Sequence, residues 1–262
     1  MVGKNAGLVT KIRNKILYEI KGERPKFVGI HCIIHQEVLA SKVLKMEHVM
    51  NPIIKTVNFI KSRELNHRQI TQFLNDLDEK CSDISYFAEV RWLSRGSMLK
   101  RFFELRKHVV TFMAQKGKPM EHSDEWWLDF AFLVDMTEHL NNLNVKLQEK
   151  NVIVTQLYSS SVQAFKIKLK LWEPQLREQK LDHFPSIRKI GTYNADKLAD
   201  FSYRLLDLIA EFDFFADFSE LNTYDFPLFN DLFTFDVGKA PTYLQMELID
   251  LQCDTAFKKQ VQ

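Results

Sequence analysis

The sequence predicts a predominantly α-helical protein, and three observations predict it. Glycine and proline are scarce, 8 and 7 in 262 residues, which argues for long helices over a strand-and-turn architecture. Apolar residues recur at spacings of three and four along most of the chain, the period of a helix with one buried face. Only Lys26 to Cys32 (KFVGIHC) reads clearly as a strand, a short β-prone run after Pro25.

In order, Ala6 to Glu23 reads as a helix with Leu8, Ile12, Ile16 and Ile20 on one face, ending at Gly22 and the Arg24-Pro25 step. A second helix is predicted from about Ile34 to Met46. Asn51-Pro52 starts a further one, to about Ser62, and Asn66 caps another over His67 to Lys80. From Met98, the residues Leu99, Phe102, Phe103, Leu105 and Val109 form an apolar stripe opposite Lys100, Arg101, Arg106 and Lys107, up to a stop at Gly117 to Pro119. Ser123 caps the longest helix, where Trp126, Phe130, Leu133, Met136 or Thr137, Leu140, Leu143 or Asn144, and Leu147 continue for about six turns. Gln156 to Leu176 carries a basic face (Lys166, Lys168, Lys170) and Trp172, and is closed by Pro174 and the Asp182-His183-Phe184-Pro185 turn. Ala195 to Phe218 repeats the pattern with Leu198, Phe201, Leu205, Leu208, Phe212 and Phe215 on one side. Tyr224 to Val237 is aromatic and loop-like, and Thr242 to Gln262 is helical again.

Composition excludes several classes. Hydrophobic content of 45% and charged content of 27% are those of an ordinary globular chain. No apolar run approaches the roughly 20 residues that span a bilayer, and the first residues lack the apolar region of a secretory signal. Cys32, Cys81 and Cys253 are odd in number and far apart, which points to a reducing compartment without a disulfide framework. The net charge of +2 conceals an asymmetry: residues 1 to 118 carry 22 Lys+Arg against 11 Asp+Glu, and the remainder 14 against 23. The front half can face a polyanion; the back half can face the front half or a basic partner.

Candidate chemistry concentrates in Val90 to Arg106. Arg91 and Trp92 precede Ser94-Arg95-Gly96-Ser97, whose residue types favour a break or a helix start. An arginine beside a flat ring at a helix entrance can grip a phosphate and stack on an unpaired base. The competing reading makes Trp92 a core anchor with Arg91 solvated beside it. Cys32 and His35 have the spacing of half a zinc site, but four tetrahedral ligands need a second pair, and Cys81 and Cys253 stand alone. No metal and no cofactor are expected.

Several segments in their order resemble the hAT superfamily of transposase-derived proteins. They are Met1 to Leu8, His31 to Glu37, Arg91 to Gly96 with the Arg101 to Arg106 continuation, Leu169 to Glu173, His183 to Pro185 and Glu247 to Gln252. The likeness is specifically to the domesticated branch that includes general transcription factor II-I repeat domain-containing and zinc finger BED domain-containing proteins. The resemblance implies an all-helical insertion domain attached to an incomplete RNase H-like α/β core. Residues 1–33 match a remnant of the core, 34–236 the insertion, and 237–262 a return segment toward the core.

Active relatives cut DNA with three metal-holding acids. By the resemblance two lie on the core before the insertion, the second immediately before the segment matching Met1 to Gly7, and the third follows the Glu247 to Asp250 segment. All three positions are therefore expected outside this chain, and the expectation is no enzyme. Glu37, Glu247 and Asp250 read as helix-surface carboxylates and are not substitutes. The same resemblance makes Cys32 and His35 the edge of a former active site and Arg91 with Trp92 a pair that stabilises a flipped base.

Two functions follow as expectations. The first is a catalytically inactive, nuclear nucleic-acid-binding remnant that meets DNA, non-specific or hairpin, through Arg91, Trp92, Arg95, Lys100 and Arg101. The second is a protein-interaction module, nuclear or cytoplasmic, that docks a protein partner or a related transposase-derived protein through the acidic, phenylalanine-rich back half. It requires an exposed apolar patch around Phe212 to Phe235. A partial product without selected function is a third reading.

Overall fold

The computed structural model describes residues 11–12, 14–15, 42–61, 66, 68–70, 72, 92–148, 157–214, 228 and 232–255. Every regular element among them is helical, so the predominantly α expectation holds there. The predicted strand at 26–32 lies outside the described residues, as do Cys32, His35, Cys81 and Arg91. The chain divides into two compact units, residues 36–216 and residues 1–35 with 217–262.

The larger unit begins with a 3-10 turn, Lys42–Leu44, where a helix running on to Met46 is expected. Lys45 breaks it by adopting φ 48, a left-handed backbone. The freed Leu44 carbonyl accepts from Arg204 Nη1 at 2.7 Å. Helix α1 then spans Glu47–Lys61, starting five residues before the predicted Pro52 start, so Pro52 lies inside it. Proline lacks an N–H and leaves the carbonyl four residues earlier without its helical donor. That carbonyl belongs to His48, and Trp126 Nε1 donates to it at 3.2 Å. Trp126→Phe is expected to cost about 1–3 kcal/mol, because the carbonyl loses its donor in a part-buried setting. The measurement is the urea midpoint at unchanged slope; a variant as stable as the parent would show the bond to be idle. Asn66 also departs from expectation. It has helical backbone and does not cap; its Nδ2 donates back to the Phe59 carbonyl in the last turn of α1 at 3.2 Å.

Helix α2 spans Trp92–Glu104 and α3 spans Arg106–Gln115, with Leu105 at the junction. The stop at Gly117 is a Schellman cap: Lys118 N donates to Met113 O and Gly117 N to Ala114 O, both at 3.0 Å. Gly117 has φ 67, which glycine adopts without strain.

Helix α4, Asp124–Leu147, is the axis of the unit. Ser123 Oγ accepts from Trp126 N at 3.2 Å, as the sequence predicts for a cap. The predicted stripe from Trp126 to Leu147 is buried, but so are Leu128, Ala131, Phe132 and Val134 on the opposite side. A helix apolar on both sides is enclosed by its neighbours. Phe102 and Phe103 of α2 meet Phe130 edge-on at 5.7 and 5.5 Å.

Next comes a π-helical turn, Leu157–Val162, and helix α5, Gln163–Arg177, with Pro174 inside its last turn instead of closing it. Short helix α6, Pro185–Ile190, ends at Gly191 with φ 80. Helix α7, Ala195–Phe214, is capped by Asn194, whose Oδ1 accepts from Lys197 N at 2.7 Å. Leu198, Phe201, Leu205, Leu208 and Phe212 are all buried, in line with the sequence stripe. Phe201 stacks on Phe132 of α4 at 4.2 Å with planes 2° apart. Helices α5 and α7 pair through Phe165 and Phe212, and through Lys166 Nζ 2.5 Å from Asp213. Buried Ser202 donates to Glu173 at 2.5 Å and accepts from Arg177 Nε at 2.8 Å.

Two carboxylates of α4 are buried where the stripe reading placed no polar group. Asp135 accepts from Ser186 N with both oxygens at 3.0 Å and from Ile187 N at 3.2 Å. It caps α6 from across the fold, because the residue at the cap position, Phe184, offers no side-chain acceptor. Burial is the largest influence on it and raises its pKa from 3.8 to about 6, against those hydrogen bonds, which lower it. Asp129 Oδ2 lies 3.0 Å from His48 Nε2, and Oδ1 lies 2.8 Å from Lys197 Nζ. The contact with Lys197 is an ion pair outside hydrogen-bond geometry.

In the smaller unit, a 3-10 turn Val237–Lys239 and another at Thr242–Leu244 precede helix α8, Gln245–Cys253. Leu228, Ala240 and Leu248 form its small core, with Phe235 packed against it. Gln252 Nε2 ties the preceding loop by donating to the Leu232 and Phe235 carbonyls at 2.8 and 2.9 Å.

Candidate nucleic-acid interface

The basic stretch is organised by α2. Its first residue is Trp92, so Arg91 stands in sequence immediately before a helix N-terminus. Ser94 to Ser97 lies in the first turns of the helix, so of the two expectations, a break or a helix start, the break is corrected and the start falls two residues earlier, at Trp92. Gly96 shows why a glycine belongs there: a Cβ at that position would sit 1.9 Å from Asn141 Nδ2 of α4. The residue serves close approach of two helices at some loss of helix propensity.

The predicted cations differ in their surroundings. Lys100 Nζ lies 2.5 Å from Glu138 of α4, and Arg101 lies 3.4 Å from Glu104 one turn on. Both therefore have carboxylate partners that a phosphate must displace, and such exposed pairs are worth only about 0–1 kcal/mol. Arg106 lies 4.3 Å over the Phe103 ring and donates to the Phe103 carbonyl at 2.9 Å. The side chains of Trp92 and Arg95 lie outside the described residues, as does all of Arg91. Thus α2 brings Trp92, Arg95, Lys100 and Arg101 onto one helix, with its apolar side, Met98, Leu99, Phe102 and Phe103, buried.

Of the other acids raised by the sequence, Glu37 lies outside the described residues. Glu247 and Asp250 are exposed on α8. Among the described residues no group of three or more His, Cys, Asp or Glu is placed to hold a metal ion. No helix among them is long and apolar enough to cross a membrane. The patch required by the protein-interaction reading is interrupted at its start: Phe212 is 1% exposed, and Phe233 and Phe235 are half-buried.

Sequence reasoning missed a groove of about 430 Å³ between α4 and α5. Its deep wall is Trp172, stacked under the His139 ring at 4.0 Å. His139 Nε2 lies 2.9 Å from the His183 carbonyl, so that nitrogen carries the proton. Burial is the largest influence on His139 and lowers its pKa. Trp172 and the alternate lysines of α5 were visible in the sequence; the facing residues of α4, more than 20 positions away, gave no local signal.

The fold and the basic helix α2 define a class, a helical domain that presents cations on an amphipathic helix. Comparison with known proteins makes the class specific. The profile "FAM200/GTF2IRD2 helical domain" matches residues 31–177. General transcription factor II-I repeat domain-containing protein 2 of Bos taurus is 41% identical over 260 residues, 98% of this chain and 27% of that protein. The Mus musculus protein of the same name is 40% identical over 261 residues, with the same coverage. The chain belongs to the FAM200/GTF2IRD2-like family, a domesticated, hAT-related and transposase-derived group. It spans about a quarter of the length of these relatives. No solved structure matches.

Proposed function

We propose that this chain is a nucleic-acid-binding helical module of transposase descent that acts in the nucleus and holds DNA without cutting it. The observation that carries the reading is the start of α2 at Trp92. A helix N-terminus presents free N–H groups and the positive end of the helix dipole, which favour a phosphate. Arg91, Trp92 and Arg95 cluster there in sequence, with Lys100 and Arg101 farther along, in the half of the chain where 22 basic residues face 11 acidic ones. The buried acids support binding without cleavage, because Asp135 caps a helix and Asp129 is held by His48 and Lys197.

The domain reading is part of the same proposal. Residues 34–236 are a helical insertion, and 1–33 with 237–262 belong to an RNase H-like core. The grouping of residues 1–35 with 217–262 in one compact unit supports it. Cys32 and His35 then mark the edge of the ancestral site.

The test is fluorescence anisotropy with duplex and hairpin DNA across a salt series. Affinity is expected to fall steeply with salt. Trp92→Ala and Arg91→Ala are each expected to weaken hairpin binding by about 1–3 kcal/mol, the scale of one stacked base. No binding at low salt, or binding by both variants as tight as the parent's, would sink the reading. Strand scission in Mg²⁺ or Mn²⁺ would sink its non-cleaving part.

A further inference from the structure

We infer that the groove between α4 and α5 is a docking site for an acidic amphipathic helix of a partner protein. Its walls are Leu143 and Lys146 of α4 and Ala164, Phe165, Lys168 and Leu171 of α5. The volume of about 430 Å³ lies in the range of sites that take an apolar anchor. Leu171 is 50% exposed at the rim, and Ile167, one turn earlier on α5, is 67% exposed. Two large aliphatic side chains at i and i+4 beside a concavity match the way a groove receives the apolar stripe of another helix.

The charge fixes the partner's chemistry. Lys146 and Lys168 stand on opposite walls, both exposed. Neither has a carboxylate partner among the described residues, whereas the neighbouring Lys166 is paired with Asp213 at 2.5 Å. Two unpaired cations flanking an apolar floor complement an apolar stripe flanked by glutamate or aspartate.

The same geometry disfavours a nucleic acid in this groove. Base stacking needs an open aromatic face, and Trp172 and Phe165 are 4% and 5% exposed. One face of Trp172 is covered by His139 at 4.0 Å, and Phe165 lies against it edge-on at 6.0 Å. The inference goes beyond the nucleic-acid reading and does not depend on it.

The probe is a synthetic helical peptide with leucines at i, i+3, i+4 and i+7 and glutamates on both flanks, titrated calorimetrically into the full chain. The double variant Lys146→Glu/Lys168→Glu is expected to bind it at least about tenfold more weakly, with an unchanged melting temperature because both lysines are exposed and unpaired. A lysine-flanked version of the peptide should bind the double variant more tightly than the parent. Absence of peptide binding, or binding indifferent to both charge reversals, overturns the inference. So does loss of hairpin-DNA binding in the double variant with peptide binding unchanged, which would make the groove part of a nucleic-acid surface.

Discussion

Phe132→Ala is expected to destabilise the larger unit by about 3–5 kcal/mol, the range for removing a fully buried aromatic ring. Phe132 is 0% exposed, stacks on Phe201 at 4.2 Å and lies 6.2 Å from the Phe184 ring. It therefore joins α4 to α7 and to the start of α6, and truncation leaves a cavity bounded by rigid rings that cannot collapse into it. Urea unfolding followed by circular dichroism measures the loss. Leu206→Ala is the control on α7, since Leu206 is 41% exposed and surface changes usually stay within about 0.5 kcal/mol. A loss below about 1 kcal/mol at Phe132 would mean that α4 is not enclosed on that side.

Asp135→Asn is expected to flatten the pH dependence of stability between pH 4 and 7. The folded chain holds the Asp135 proton more tightly than the unfolded chain, because burial raises the pKa from 3.8 to about 6. Its contribution is therefore complete below about pH 3.8 and is lost as pH rises through about 6. At roughly 1.4 kcal/mol per unit, the loss is on the order of 3 kcal/mol. Asparagine keeps an oxygen for the α6 amides but never charges, so that slope disappears. It forfeits one of the two acceptor oxygens, which costs about 1 kcal/mol. The parent should be the more stable by about 1 kcal/mol at low pH. The two profiles should cross between the unfolded and folded pKa values of 3.8 and about 6, and the variant should be the more stable by about 2 kcal/mol near neutrality. Parallel profiles would show that Asp135 titrates normally.

Much of the fold was legible because its signal is local. The Ser123 cap, the stripes on α4 and α7, and the stop at Gly117 depend on neighbours within about two turns, and the structure places them as the sequence predicts. The misplacements share one cause. Pro52 is read locally as a helix start, yet Trp126, 74 positions away, supplies the donor that lets it sit inside α1. Gly96 is read as part of a break or a helix start, yet it lies within α2, with the Asn141 side chain of α4 close against it. Asn66 is read as a cap, yet the Phe59 carbonyl takes its amide. In each case a residue whose local preference is weak or costly is retained by a contact the sequence does not announce.

The candidate interface divides the same way. That basic residues follow Arg91-Trp92 on an amphipathic helix was legible; that Lys100 and Arg101 already face carboxylates was not, since Glu138 comes from another helix.

By itself, the sequence determined the helical class, the charge asymmetry, most of the buried stripes and the likeness to a transposase-derived family. Periodicity, composition and motif order are properties of the chain alone. Only the tertiary structure decided that α4 is enclosed on two sides, that Asp135 serves a helix fifty residues away, and that a groove flanked by Lys146 and Lys168 lies between α4 and α5. Those outcomes depend on which distant groups meet in a low-dielectric interior, where an unpaired polar atom is expensive and a ring must fill the space it is given.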